Sequence, residues 1–316
     1  MRVSGRGTDL NWLAFILMVA PLVHGATLNV NCGQKAGLST INAALNILKN
    51  SGSQGPSTIM VTGNCNENVV IQGFDRITLT ANPGASISDA SGGTAAVVDI
   101  EDSRSITMKG FTINGGLDGV VCSTFSICYL TTNKVQSSVG QEGVLVSDGS
   151  HAFLTGNAIQ NNTGRGLTVN EGSQVLSTSD TFQGNADTGI VANSGAYLGA
   201  VKLVVQNNGS DGAAGVIATD HSTLRLISCT ISGNALDGVV LQHNAEARFD
   251  AYSGPSTVTG NGGSGVSVHD LSFALFGPGN NITGNLGGTD VLCAAQFSAT
   301  RGARTNIGGT TNCTEP

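Results

Sequence analysis

The chain has 316 residues, a formal net charge of -7 and only 11% charged residues, with 45 glycines and 4% aromatics. Lys and Arg form no cluster, so no nucleic-acid partner is expected, because phosphate binding needs concentrated cations. With so few aromatics, a core has to be built from Val, Ile, Leu and Ala, which suits many short strands joined by turns.

The first residues read as an export signal. Arg2 and Arg6 precede an apolar run of twelve, Trp12 to Val23, and Val23-His24-Gly25 offers small residues for cleavage before Ala26. Residues 1–25 are therefore assigned as a signal peptide. Twelve residues cannot span about 30 Å of hydrocarbon as a helix. No later apolar run approaches that length, so no membrane span is expected after cleavage. The expected destination is secretion, the periplasm or the cell surface.

Residues 26–57 read as an N-terminal cap. Within them, residues 39–49 form an amphipathic helix pattern, with Ser39 as the expected N-cap and Gly52 just past the end. Residues 58–293 read as stacked coils of β-structure. The early strand signals at 59–61, 69–71, 77–79, 97–100 and 106–108 are irregularly spaced. After them Gly119, Gly143, Gly166, Gly189, Gly215, Gly238 and Gly265 recur at intervals of 24, 23, 23, 26, 23 and 27, each followed by a small aliphatic residue. Such a period marks a stacked-repeat architecture.

Each unit carries three strand signals. The first follows the glycine, with Val144, Leu167, Ile190, Val216, Val239 and Val266 on the inward side. The second comes several residues later, as at Leu154, Leu198 and Leu226, and the third is a single apolar residue such as Ile159, Phe182 or Val205. An asparagine follows the third, at 162, 185, 208, 234, 261 and 285. It is expected at a corner, where its amide bonds to the copies above and below. Glycine is expected to supply the other corner. Strands this short bury a face only by stacking on the next copy, so the fold class is all-β, a single-stranded parallel β-helix of about 9–10 coils. The outward side of the first strand reads Val121, Leu145, Thr168, Val191, Ile217, Val240 and Ser267. This apolar stripe is expected to be covered, by the C-terminal segment or by a second subunit of a homo-oligomer. Plain β-propensity is the alternative. Residues 294–316 lose the repeat and read as a C-terminal cap or tail.

Seven cysteines suit an oxidising compartment. Their placement pairs Cys32 with Cys65, Cys122 with Cys128 and Cys293 with Cys313, leaving Cys229 as a buried thiol. No CxxC pair exists and the histidines lack finger spacing, so no metal and no cofactor is expected.

The stretch Thr40-Ile41-Asn42-Ala43-Ala44-Leu45, followed by Gly63-Asn64-Cys65-Asn66-Glu67 and Val69-Val70-Ile71, resembles the opening of pectin-lyase-like proteins. Those begin with a capping helix, then G-x-Y-x-E, with Tyr where this chain has Cys65. The repeats resemble those of NosD-like proteins, pectate lyases, polygalacturonases and alginate epimerases. The resemblance spans about residues 27–293 and implies a right-handed parallel β-helix with a short N-terminal capping α-helix. It does not assign an activity, since this fold hosts many. The NTD, DD, GHG and RIK motifs of polygalacturonases and the DPHD of alginate epimerases are absent.

Position within the repeat supplies candidates instead. Asp118 and Glu142 precede successive glycines and should lie about 5 Å apart, near the spacing of a retaining glycosidase pair. The alternative is an exposed turn ladder offset by Arg165. Arg225 and Arg248 face outward one coil apart, with Glu246 beside them, and form either an acidic-sugar site or a surface salt ladder. His221, His243 and His269 share a corner with Asp220 and Asp270. The outward ladder Ser147, Asn170, Asn193, Thr219, Gln242 and His269 offers amides and hydroxyls to an extended polysaccharide. The substrate-binding candidates are Asn170, Asn193, Gln242, His243 and His269. Three readings follow. The first is an exported scaffold that binds a polysaccharide or cell-surface glycan, or another surface partner. The second is a lyase or glycoside hydrolase acting on an acidic polysaccharide. The third is a structural, self-associating adhesive protein.

Overall fold

The repeat resolves into three short strands per coil. One coil comprises Glu142–Val146, His151–Thr155 and Ala158–Gln160, and the next copy comprises Arg165–Val169, Gln174–Thr178 and Thr181–Gln183. The computed structural model describes residues 25–34, 37–52, 56–294 and 298–315. Residues 1–24 of the expected signal segment lie outside them. Like strands stack in parallel into three sheets. Sheet 1 holds ten first strands, seven of them at the recurring glycines, sheet 2 twelve second strands, and sheet 3 ten third strands. The chain is thus a right-handed parallel β-helix of about ten coils, with one short helix near its N-terminus.

Alternation along each strand decides the core. Val144, Leu167, Ile190, Val216, Val239 and Val266 lie in register, one above another, and each is fully buried. Packing like residues in a column removes apolar surface from water at every coil, which is the main driving force for stacking.

A buried asparagine ladder closes one corner. Oδ1 of Asn185 accepts from the backbone N–H and the side-chain amide of Asn162 at 3.2 and 2.9 Å. The same exchange links 185 to 208, 208 to 234, 234 to 261 and 261 to 285, and Asp290 ends the series. This ladder also explains the recurring glycine. A Cβ on Gly189 would lie 2.7 Å from the Gly215 carbonyl oxygen and 2.8 Å from Nδ2 of Asn208. The glycines at 143, 166, 189, 215, 238 and 265 do not have positive φ. Their role is close approach to the next coil rather than the turn conformation expected of a corner.

The helix is Ile41–Asn50, and Thr40 rather than Ser39 caps it, its Oγ1 accepting from the Ala43 N–H at 3.1 Å. Ser39 stands one residue too early to reach the open N–H groups. The Glu67 carboxylate also accepts from the Ile41 and Asn42 N–H groups at 2.6 and 3.0 Å. A negative group there satisfies orphan donors and complements the helix dipole. Disulfides join Cys32 to Cys65, Cys122 to Cys128 and Cys293 to Cys313, and Cys229 is a buried free thiol.

At the other end, Ala299–Arg301 adds the last strand of sheet 2. The Ile282 N–H donates to the Ile307 carbonyl at 2.8 Å, and the Val291 N–H to Thr310 at 3.0 Å. The tail therefore lies across the last coil and not along the outward row of sheet 1, as had been one expectation. Among the described residues, no helix is long and apolar enough to cross a membrane.

Within the regular repeat from Gly119 to Gly265, two turns are enlarged. The turn between Val204–Gln206 and Val216–Ala218 has nine residues, where the preceding coil uses six. The turn between Glu246–Asp250 and Thr257–Thr259 has six, where the preceding coil uses two. Each enlargement projects from a different face.

Candidate functional site

The outward side of sheet 1 is the floor of a cleft. Thr168, Val191, Ile217 and Val240 stand in register on it. Thr168 and Val191 are only 4% and 7% exposed, sheltered by the turns on either side. One wall is the enlarged turn, through Asp211, Gly212 and Ala213. Two contiguous cavities occupy the cleft. One, of about 620 Å³, is lined by Glu142, Arg165, Asp187 and Asp211, and the other, of about 420 Å³, by Asn193, Thr219, Asp237 and Gln242. The two share Arg165, Asp187, Gly212 and Ala213.

Asp118 and Glu142 lie at the N-terminal edge of this face. Both are buried, at 8% and 4% exposure, so they do not form the exposed turn ladder. They are neighbours one coil apart, and Asp118 Oδ1 accepts from the Glu142 N–H at 2.9 Å. Burial, then the Asp118 charge, raises the Glu142 pKa to about 7. Thr168 Oγ1 donates to Glu142 Oε1 at 3.0 Å, and Arg165 reaches the same oxygen at 3.5 Å. Glu142 Oε2 is buried with no hydrogen-bond partner, which suits a protonated carboxyl. Arg165 is also paired with Asp187 at 3.3 Å.

Asp99 is a third carboxyl here. It stands beside Val121 on the outward row, and burial, then Glu101 and Asp118, raises its pKa to about 6. Asp237 repeats the arrangement of Asp118 further along, accepting from the Ser264 N–H at 2.6 Å and from Ser267 Oγ at 2.6 Å. Neither Asp99 nor Asp237 was a sequence candidate. The alternation of Val98-Asp99-Ile100-Glu101 marks Asp99 as outward-facing, one coil before Asp118. The long 189–215 interval marks the wall that carries Asp211.

The expected polar ladder is present. The N–H groups of Asn170, Asn193, Thr219, Gln242 and His269 each donate to the preceding coil, which stacks these residues along the far edge of the cleft. Asn193, Thr219 and Gln242 line the cavity of about 420 Å³, whereas Asn170 and His269 do not. His243 sits at the neighbouring corner. Its Nδ1 is 3.1 Å from Thr219 Oγ1 and 3.3 Å from Asp220, and its Nε2 is 3.9 Å from Asp270.

The arginine pair is elsewhere, on the outward face of sheet 2. Arg225 and Arg248 are register partners, but their anion is Asp250, at 2.7 and 3.5 Å, and not Glu246, which pairs in register with Thr223. The structure therefore does not bring the arginines to the Asp118–Glu142 pair. Among the described residues, one group of His, Cys, Asp and Glu has metal-ligand spacing, Cys32, Cys65 and Glu67. Its sulfurs are joined in a disulfide and its carboxylate caps the helix, so those residues do not fit a metal.

This architecture defines a right-handed parallel β-helix repeat protein. Residues 95–251 match the family model described as a right handed beta helix region. No curated protein matches the chain in sequence. Among solved structures the chain is similar to the A-module of mannuronan C-5 epimerase AlgE6 from Azotobacter vinelandii. The TM-score is 0.60 at 16% identity, over 80% of this chain and 74% of that one. It is also similar to the AlgE4 A-module of the same organism, with a TM-score of 0.46 at 13% identity over 82% and 79% of the two chains. A periplasmic alginate epimerase, AlgG, gives 0.45 at 13% over 77% and 67%. At these identities the likeness is one of fold.

Proposed function

We propose that the sheet 1 cleft binds an extended polysaccharide running along the helix axis, on a protein exported to an oxidising compartment. The observation that carries this reading is the cleft itself. It has an apolar floor of Val191, Ile217 and Val240, an amide and hydroxyl edge of Asn193, Thr219 and Gln242, and a wall raised by the enlarged turn. Binding sites combine apolar contact with a few placed polar groups in this way. The coils from Glu142 to Gln242 span roughly 20 Å at the strand spacing, room for several sugar rings. Charge selects among glycans. Glu142, Asp187 and Asp211 face Arg165 alone in the first cavity, and Asp237 lies in the second, so the cleft favours a neutral or amino-bearing chain over a polyuronate. Three disulfides and the sequence of residues 1–25 support export.

A second reading, acid–base catalysis in the same cleft, rests on one observation: the Glu142 pKa is raised to about 7 beside a carboxylate. A carboxyl tuned to neutrality suits proton transfer to or from a sugar. Calorimetry with neutral and acidic polysaccharides, combined with assays for new reducing or unsaturated ends, tests both readings. Binding of a neutral glycan, weakened in Asn193→Ala and Gln242→Ala, is expected. New ends that vanish in Glu142→Gln while binding persists would establish catalysis. Binding indifferent to both amide variants would place the glycan elsewhere.

A further inference from the structure

Three rows run along the sheet 1 cleft, and each offers one residue per coil. The floor gives Val191, Ile217 and Val240 in register. The far edge gives Asn193, Thr219 and Gln242. The opposite wall is acidic. Asp187, Asp211 and Asp237 stand in three successive turns, each between a third strand and the first strand of the next coil. Asp187 and Asp211 line the cavity of about 620 Å³, and Asp187 and Asp237 the cavity of about 420 Å³. The rise of one coil, about 4.8 Å, is close to the length that one sugar ring adds to an extended chain.

Most of this negative charge is uncompensated. Arg165 Nε pairs with Asp187 at 3.3 Å. Among the described residues, no basic side chain pairs with Asp211 or Asp237. Asp237 accepts from two neutral donors, the Ser264 N–H and Ser267 Oγ, each at 2.6 Å. These fix the orientation of the carboxylate and leave its charge. The three carboxylates belong to no group with metal-ligand spacing, so they form a row along the cleft and do not gather around one point. A second observation points to a ligand. Glu142 lines the first cavity, is 4% exposed, and holds an oxygen, Oε2, without a hydrogen-bond partner. Buried polar atoms are normally satisfied, so an orphan beside a cavity marks a group that a ligand completes. The hollow at the other enlarged turn, of about 310 Å³ against Asp250, Tyr252 and Pro278, differs. Its one carboxylate is already held by Arg225 and Arg248, so it offers a cation nothing.

We propose that the sheet 1 cleft selects a cationic amino-polysaccharide, a chain of hexosamine units bearing free ammonium groups, which lie along Asp187, Asp211 and Asp237. This selection presupposes that the cleft is the glycan site. Sugar rings lay their C–H faces on the apolar floor, and their hydroxyls meet the amide edge. The ammonium groups donate charge-assisted hydrogen bonds to the acidic wall. Arg165 already offsets Asp187, so Asp211 and Asp237 carry the selectivity. N-acetylation removes the charge, so the cleft distinguishes free from acetylated units.

The test is calorimetric titration of the full chain with hexamers of glucosamine, N-acetylglucosamine and glucose in the same linkage. The titrations are run at about pH 5.5, above the ordinary carboxylate range and below that of amines. The glucosamine hexamer is expected to bind roughly ten-fold or more tightly than either neutral hexamer. Added salt should shrink that preference. Asp211→Asn and Asp237→Asn should each narrow it by about three-fold or more, and the double variant should bring it close to unity. Thermal melts confirm that the variants remain folded. Glu246→Gln, on sheet 2, should change nothing. Equal affinity for all the hexamers overturns the charge selection while leaving the cleft as a glycan site. A preference that persists in the double variant overturns it too, as does a lysine hexamer that binds as tightly as the glucosamine hexamer. If no hexamer binds, the glycan cleft itself fails and the selection with it.

Discussion

Gly189 and Asn208 are two halves of one device: the Cα of the glycine approaches the asparagine amide so closely that a Cβ would stand 2.8 Å from its Nδ2. The amide in turn donates to the Phe182 carbonyl at 3.0 Å and to Asn234 at 3.1 Å. An exposed helical Gly→Ala change often stabilises a protein by restricting its unfolded chain. Here Gly189→Ala is expected to destabilise by about 2–4 kcal/mol through overpacking. Asn208→Ala is expected to cost a similar amount, about 2–4 kcal/mol, because it strips partners from several buried groups at once. Urea unfolding of the two variants measures both.

The raised carboxyls set a pH dependence. Glu142 goes from an ordinary value of 4.5 to about 7 in the folded chain. Between those values the folded state holds a proton that the unfolded state has released, so stability falls as pH rises through the window. Asp99, moved from 3.8 to about 6, acts in the same direction. Glu142→Gln should therefore be more stable than the parent at pH 8, by about 2–3 kcal/mol, with the difference closing below pH 4.5. Thermal melts across pH 4 to 9 check the sign; a parent more stable at pH 8 than at pH 5, with the variant flat, would contradict the burial of this pair.

Cys229 should be unreactive in the native protein. It is 1% exposed, and burial pushes its thiol pKa up to about 11. Since the thiolate is the reactive form, a disulfide-exchange reagent at pH 8 should label nothing until denaturant is added, and then one thiol per chain. Non-reducing mass mapping should return the other six cysteines as three bridges.

Removal of Ser210, Asp211 and Gly212 should restore the six-residue turn of the preceding coil. The ladder asparagines at 208 and 234 and the strands on either side keep their places, so the melting temperature should shift by only a few degrees. Glycan affinity in the sheet 1 cleft should fall by about ten-fold or more, because one wall is gone. Unchanged affinity with an intact fold would remove the wall from the binding site.

Much of this was legible in the chain itself, for a physical reason. A period of 23 residues with inward Val144, Leu167 and Ile190 leaves little freedom once strands must stack, so the coils, their register and the cysteine pairings follow. Asp118 and Glu142 were also legible as neighbours. Their burial was not, because it depends on how Thr168 and the turn at Gly140–Gln141 close over them, which no periodicity encodes. Asp250 was overlooked although alternation places it outward two residues after Arg248; it pairs with Arg248 on its own strand and with Arg225 one coil away. The apolar outward row was read as covered by the tail or a second subunit, or else as plain strand propensity; the tail lies elsewhere, and Val191 is sheltered in the floor of a cleft. The clearest missed signal was numerical: the 26- and 27-residue intervals are the two coils whose enlarged turns build the cavities.

The translational stacking gives the molecule a modular length. Because the coils between Asn162 and Asn285 offer one another the same asparagine, the same glycine gap and the same inward column, a whole unit there can be duplicated or lost with little change to the joints on either side. Changes of any other size are forced into the corners, where they alter a wall and leave the axis intact. Reach along a polymer and selectivity for its substituents are therefore set by different mutations, one counted in coils and the other in turn residues.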